Sequence, residues 1–96
     1  MPAYVIVIRE EPLRDAAEYE EYQRVAAANR GDIPLKLVAM LGAVEGLEGP
    51  TPDAVVMLEF PTMDDARAWY NSPGYQEALQ HRKRAADYRV VLVEGL

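Results

Sequence analysis

The single histidine of this chain, His81, stands beside an arginine, Arg82, and these two residues are the first that could do chemistry. An imidazole titrates near neutrality, so His81 is a candidate general acid or base; four residues after Glu77, it also reads as an ordinary surface histidine. Arg82 is more informative, because it falls inside an apolar stripe formed by Tyr75, Ala78, Leu79, Ala85 and Ala86. A buried guanidinium needs a carboxylate or a ligand anion, since a buried charge left unpaired costs several kcal/mol. Arg82 is therefore a candidate clamp for an anionic or carbonyl group. The competing reading is a structural ion pair, or a stem packed on the core with its head in water.

Glu59 interrupts an apolar run just before Phe60-Pro61. If it faces the same layer as Arg82, the two can pair, and Glu59 joins His81 as a candidate proton carrier; otherwise it lies at a sheet end in solvent, as Glu94 would. Trp69, Tyr70 and Tyr75, with Tyr19 and Tyr22, form an aromatic set. Rings with a polar tip line small-molecule pockets, and Trp69, Tyr70 and Tyr75 are candidate substrate-contacting walls. They read equally as core in a chain with one phenylalanine.

Other motifs lead nowhere chemical. Gly42, Gly46 and Gly49 precede Pro50-Thr51-Pro52 and a strand, with no helix N-terminus to receive a phosphate. Asp64 and Asp65 are adjacent, do not share a helix face, and suit a helix dipole better than a metal. One histidine supports no serine-histidine-aspartate order, and no cysteine is available for a thiolate. No metal and no cofactor are expected.

The elements that must position these residues are readable from periodicity. Tyr4 to Ile8 is a β-branched run and a strand, broken by Pro12. Asp15 begins a helix as N-cap with Glu18 in a capping-box spacing, and Tyr19, Tyr22 and Ala26 recur on one face until Asn29-Arg30-Gly31. Leu35 to Leu41 is a second strand, and the loop after it has a middle open to further pairing. Ala54 to Phe60 is a third strand, expected to form a hairpin with the second. Thr62 caps a helix carrying Ala66, Trp69 and Tyr70 on one face. Asn71-Ser72-Pro73-Gly74 interrupts it, and Ser72 with Pro73 restarts a helix. Arg89 to Val93 is the fourth strand.

Ninety-six residues make one domain spanning 1–96, which buries only roughly 60–65% of its unfolded surface. The strands are apolar on both faces: Tyr4, Ile6 and Ile8 oppose Val5 and Val7, Val55 and Met57 oppose Val56, Leu58 and Phe60, and Val91 and Val93 oppose Val90 and Leu92. Helices cover one face in a βαββαβ arrangement. The other exceeds the apolar patch a monomer tolerates, so the sheet faces of two copies are expected to meet in a homodimer. A net charge of −6 speaks against nucleic acid as a partner. No membrane span and no secretory leader are read, and a soluble cytoplasmic protein is expected.

Larger motifs then carry a resemblance. The stretch Ala54 to Gln76 contains E-F-P-T-M-D-D-A-R-A-W-Y-N-S-P-G-Y-Q, Arg82 follows, and Ala86 to Gly95 reads A-D-Y-R-V-V-L-V-E-G. With Ala3-Tyr4-Val5-Ile6 and Leu47-Glu48-Gly49, this resembles the domain-of-unknown-function family numbered 1330. The most specific part is A-W-Y-x-S-P-x-Y-Q, from Ala68 to Gln76. The resemblance implies an α+β, ferredoxin-like βαββαβ fold with a four-stranded antiparallel sheet, paired as a dimeric α+β barrel. Where that family usually has Arg-Gly-Gly on strand two, this chain has Met40-Leu41-Gly42, which removes a positive group. The wider superfamily includes cofactor-independent monooxygenases and lactone isomerases. The expected function is binding of a small organic molecule between sheet and helices, with such catalysis in addition; the alternative is a non-catalytic dimeric accessory module.

Overall fold

A computed structural model describes all residues 1–96. Its elements run β1 (Ala3–Arg9), α1 (Ala16–Ala28), β2 (Lys36–Met40), β3 (Ala54–Phe60), α2 (Met63–Asn71), α3 (Pro73–Ala85) and β4 (Tyr88–Glu94). The four strands form one antiparallel sheet in the order β2-β3-β1-β4. This is the ferredoxin-like arrangement expected from the sequence, with α2 and α3 together forming the second crossover.

The helix starts follow from their caps. The side chains of Asp15, Thr62 and Ser72 each accept a hydrogen bond from the backbone N–H three residues on, at 3.1, 3.1 and 3.3 Å. The capping box at α1 is only half made. Glu18 does not turn back to the Asp15 N–H, because its carboxylate is taken by His81 and Arg84 across the α1–α3 seam. Gly31, at φ 66°, supplies the left-handed turn that leads away from α1.

β2 is shorter than the run Leu35–Leu41, because Leu41 leaves the strand at φ 56°. The loop that follows carries no further strand. β2 also holds a bulge: Leu37 pairs with Leu58 and Ala39 with Met57, so Val38 is an extra residue. In a regular strand Leu37 and Met40, three apart, would face opposite ways. The extra residue puts both on the helix-covered side, opposite Leu58 and Val56.

On that side, Ala3, Val5, Val7, Leu58 and Phe60 pack with Ala66, Trp69, Tyr75 and Leu79 into the core. The second helical layer is uneven. α1 packs chiefly on α3, and α2 on the sheet, so α1 stands off the sheet and leaves a space above β1 and β3. The opposite sheet face carries Tyr4, Ile6, Ile8, Val55, Met57, Val91 and Val93, with Val91 and Val93 still 41% and 48% exposed. Glu59 lies on this same face. Strand alternation sets it with Val55 and Met57, and the register puts it between Tyr4 and Lys36. The expected meeting of Glu59 with Arg82 therefore does not occur.

Candidate functional site

The space under α1 is a cavity of about 220 Å³. Val7, Val56 and Leu58 floor it, and Tyr19, Tyr22 and Ala26 of α1 roof it. Leu35, Leu37, Met40 and Leu41 form one side, while Trp69, Tyr75, Arg82 and Tyr88 close the far end. Fifteen of its nineteen lining residues are hydrophobic, the charged ones are Arg9, Arg30 and Arg82, and none is Asp, Glu or His.

Arg82 is 4% exposed. Helical periodicity put it among Ala78, Leu79 and Ala85, all buried. It takes part in none of the six ion pairs of the chain. Instead its guanidinium carbon sits 4.9 Å from the ring centre of Tyr88 and 5.8 Å from that of Tyr22, and Nη1 points to the Tyr75 hydroxyl at 3.4 Å. Ring quadrupoles are worth about 0.5–2 kcal/mol each to a desolvated cation, so they soften its burial without neutralising it. Nε donates to nothing. The sequence left open whether Arg82 is paired in the structure or free for a ligand; it has no anionic partner.

A second arginine, Arg9, lies against the same Tyr88. Arg9 donates through Nε to Asp53 at 2.7 Å and through Nη1 to the Tyr88 hydroxyl at 3.2 Å, and lies 5.3 Å from the Tyr19 ring centre. Tyr88 thus stands between two cations, with its hydroxyl on Arg9 and its ring against Arg82.

The Tyr22 and Tyr75 hydroxyls are 3.0 Å apart. Burial is the main influence on both and pushes their pKa values above the ordinary 10.0, Tyr22 far above it, against the opposing pull of Arg82. Burial likewise raises Tyr19. These phenols are neutral hydrogen-bonding groups at physiological pH and cannot balance the arginine. A raised phenol pKa stabilises the fold fully below the unfolded value, and that contribution is lost as pH climbs above about 10. Tyr22→Phe is expected to flatten the decline in stability above pH 10, while costing about 1 kcal/mol at pH 7 for the lost hydroxyl pair. Urea denaturation across both pH values measures it.

The candidates singled out in the sequence separate into two groups. Trp69, Tyr75 and Arg82 meet at the cavity, with the Trp69 and Tyr75 rings 4.1 Å apart. Tyr70 is 5.7 Å from the Tyr75 ring but opens on a second pocket of about 520 Å³ with Arg82, Lys83, Asp87 and Tyr88. His81, one helical step of about 100° from Arg82, faces α1 and shares Nδ1 with Glu18 at 2.6 Å, so it lines neither space. Glu59 is on the far sheet face. Arg9 and Tyr88 are the residues that sequence reasoning missed. Each lies just outside the expected strand end, yet each continues the inward alternation, Arg9 after Val5 and Val7, and Tyr88 before Val90 and Leu92.

The fold has solved counterparts. The chain is similar to the RPA0582 protein of unknown function from Rhodopseudomonas palustris, with 24% identity, 99% of this chain and 82% of that one covered, and a TM-score of 0.76. It is similar to a dimeric protein of unknown function with a ferredoxin-like fold from Bacteroides fragilis, at 19% identity, 98% and 96% coverage and TM-score 0.53. SnoaB, a cofactor-independent oxygenase from Streptomyces nogalater, is also similar, at 15% identity, 99% and 92% coverage and TM-score 0.60. No curated protein matches in sequence. The family described as domain of unknown function DUF1330 matches residues 2–96.

Proposed function

We propose that this chain, which belongs to the DUF1330 family, is a homodimeric protein that binds a small, largely apolar organic molecule in the cavity beside Arg82. The observation that carries the reading is an arginine 4% exposed, without a carboxylate partner, at the end of an aromatic-walled space. A protein core does not keep such a charge for stability, since a hydrophobic residue there serves better. A polar group retained in an apolar cavity is the usual form of a small-molecule site. The apolar outer sheet face and the dimeric relative from Bacteroides fragilis support pairing through that face. The cysteine-free composition supports a cytoplasmic location.

The kinship in fold with a cofactor-independent oxygenase supports adding catalysis, although fold alone does not transfer chemistry. A non-catalytic binding module is the second reading. It is favoured by the lining itself, which offers no histidine or carboxylate to move a proton.

Filling the cavity tests occupancy apart from charge. Ala26 lines the roof on α1, and Ala26→Phe should insert a ring into the space while leaving the helix intact. A panel of one- and two-ring aromatic acids, phenols and ketones is expected to raise the melting temperature of the parent. Ala26→Phe is expected to stay folded and lose that response. A parent that responds to no compound would sink the proposal.

A further inference from the structure

Resting on the reading that this cavity holds a ligand, we propose that the site takes its ligand ionised, as the oxyanion of a small aromatic molecule, with Arg82 as the residue that binds the charged oxygen. Four observations converge. The charged residues bordering the cavity are all arginines, and of these Arg9 is already matched by Asp53. Arg82 is more than nine-tenths buried, and its Nε lacks an acceptor; an orphaned buried donor in a folded protein calls for an explanation. Tyr22 and Tyr75 beside it are held neutral by burial, so neither can serve as its counterion. The walls near it are the flat rings of Tyr22, Trp69, Tyr75 and Tyr88, which suit a planar guest.

Size narrows the class. An apolar cavity of about 150 Å³ takes up a benzene ring, so a space of about 220 Å³ suits one ring with substituents, or two small rings. The oxygen can belong to a phenolate, an enolate or a carboxylate, which present the same charge to the guanidinium. With no base on the cavity wall, the proton of a phenol or enol leaves to solvent: the O–H bond breaks, the pair stays on oxygen, and buffer takes H⁺. Arg82 then holds the product of that ionisation and lowers the pH at which it occurs. Such a site needs no proton-accepting side chain, and His81 is engaged with Glu18 outside it.

4-Nitrophenol is a suitable probe, because its phenolate absorbs in the visible and reports its own ionisation. Bound to the parent protein, its titration midpoint is expected to fall by about one pH unit, equivalent to tenfold tighter binding of the phenolate than of the phenol. Its neutral methyl ether, 4-nitroanisole, is expected to bind at least tenfold more weakly than the phenolate. Arg82→Met should remove the midpoint shift, and Arg82→Lys should keep part of it. Competition by benzoate extends the class to carboxylates, and failure of benzoate to compete confines it to phenolate-like oxygens. Nitroanisole binding as tightly as nitrophenol, or an unmoved midpoint in the parent, overturns the charge inference and leaves the cavity reading in place. Absence of binding by either probe in equilibrium dialysis overturns both.

Discussion

Arg82→Met is expected to yield a protein that is more stable than the parent and a much weaker binder of anionic ligands. The parent keeps a cation in a space with no carboxylate, where only the Tyr22 and Tyr88 rings and one tyrosine hydroxyl offset its lost hydration. Methionine has nearly the same length, adapts to irregular space and carries no charge to desolvate. Even buried ion pairs exchanged for apolar groups are often neutral or gain about 1–4 kcal/mol. Allowing for the lost ring contacts, a gain of about 1–2 kcal/mol is reasonable here. For a domain of this size, that is a rise in melting temperature of roughly 4–16 °C. Binding of an anion should fall by about ten- to a hundredfold, the worth of one charged hydrogen bond. Calorimetry at fixed protein concentration and ligand titration together check both halves. A variant destabilised by several kcal/mol would mean that Arg82 is a structural strut, and the ligand reading would fall with it.

The second large effect concerns the open sheet face. Ile6 is at its centre, on the inner strand β1, opposite Met57 on one side and Val91 on the other. In a protomer alone, Ile6→Glu is mild, because the residue is only half-buried and a carboxylate there reaches water. In a dimer joined through this face the same carboxylate is enclosed, and two-fold symmetry places one on each side. At about 3–5 kcal/mol for each unpaired buried charge, the pair should weaken association by more than about 10⁴-fold. Light scattering at micromolar concentration is expected to give twice the chain mass for the parent and the single mass for Ile6→Glu. A variant that stays dimeric would show that the copies meet elsewhere.

What could be read in advance, and what could not, follows from the range of each physical rule. Two-residue alternation sorted the faces of β1, β3 and β4 correctly, since these strands are regular and each inward side chain meets the core. The 3.6-residue period placed Arg82 among buried alanines for the same reason. Those rules act within one element. They could not tell that α1 leans on α3 and leaves the sheet, which is what makes a cavity beside Arg82. For Glu59 the sequence leaves pairing with Arg82 and a solvent position both open; alternation puts it with Val55 and Met57, on the far face from Arg82. Arg9 and Tyr88 were overlooked because strand ends blur, although their parity was visible. The bulge at Val38 had no sequence signal. L-K-L-V-A-M-L alternates irregularly, and only pairing with β3 reveals which residue is extra.

That bulge has a consequence for how such a protein can change over time. β2 is an edge strand bonded to β3 alone, so altering its length disturbs one ladder and leaves β1, β3 and β4 as they are. Deleting Val38 would restore simple alternation with Leu37 and Met40 two apart and both still facing the cavity, so the rim loses the bend of the bulge and keeps its residues. The frame that holds the arginine and the aromatic walls would not move. Shape at the rim and charge at the depth are thus separately inheritable: related chains can trade guests by gaining or losing one residue at the sheet edge, without altering the interior that recognises them.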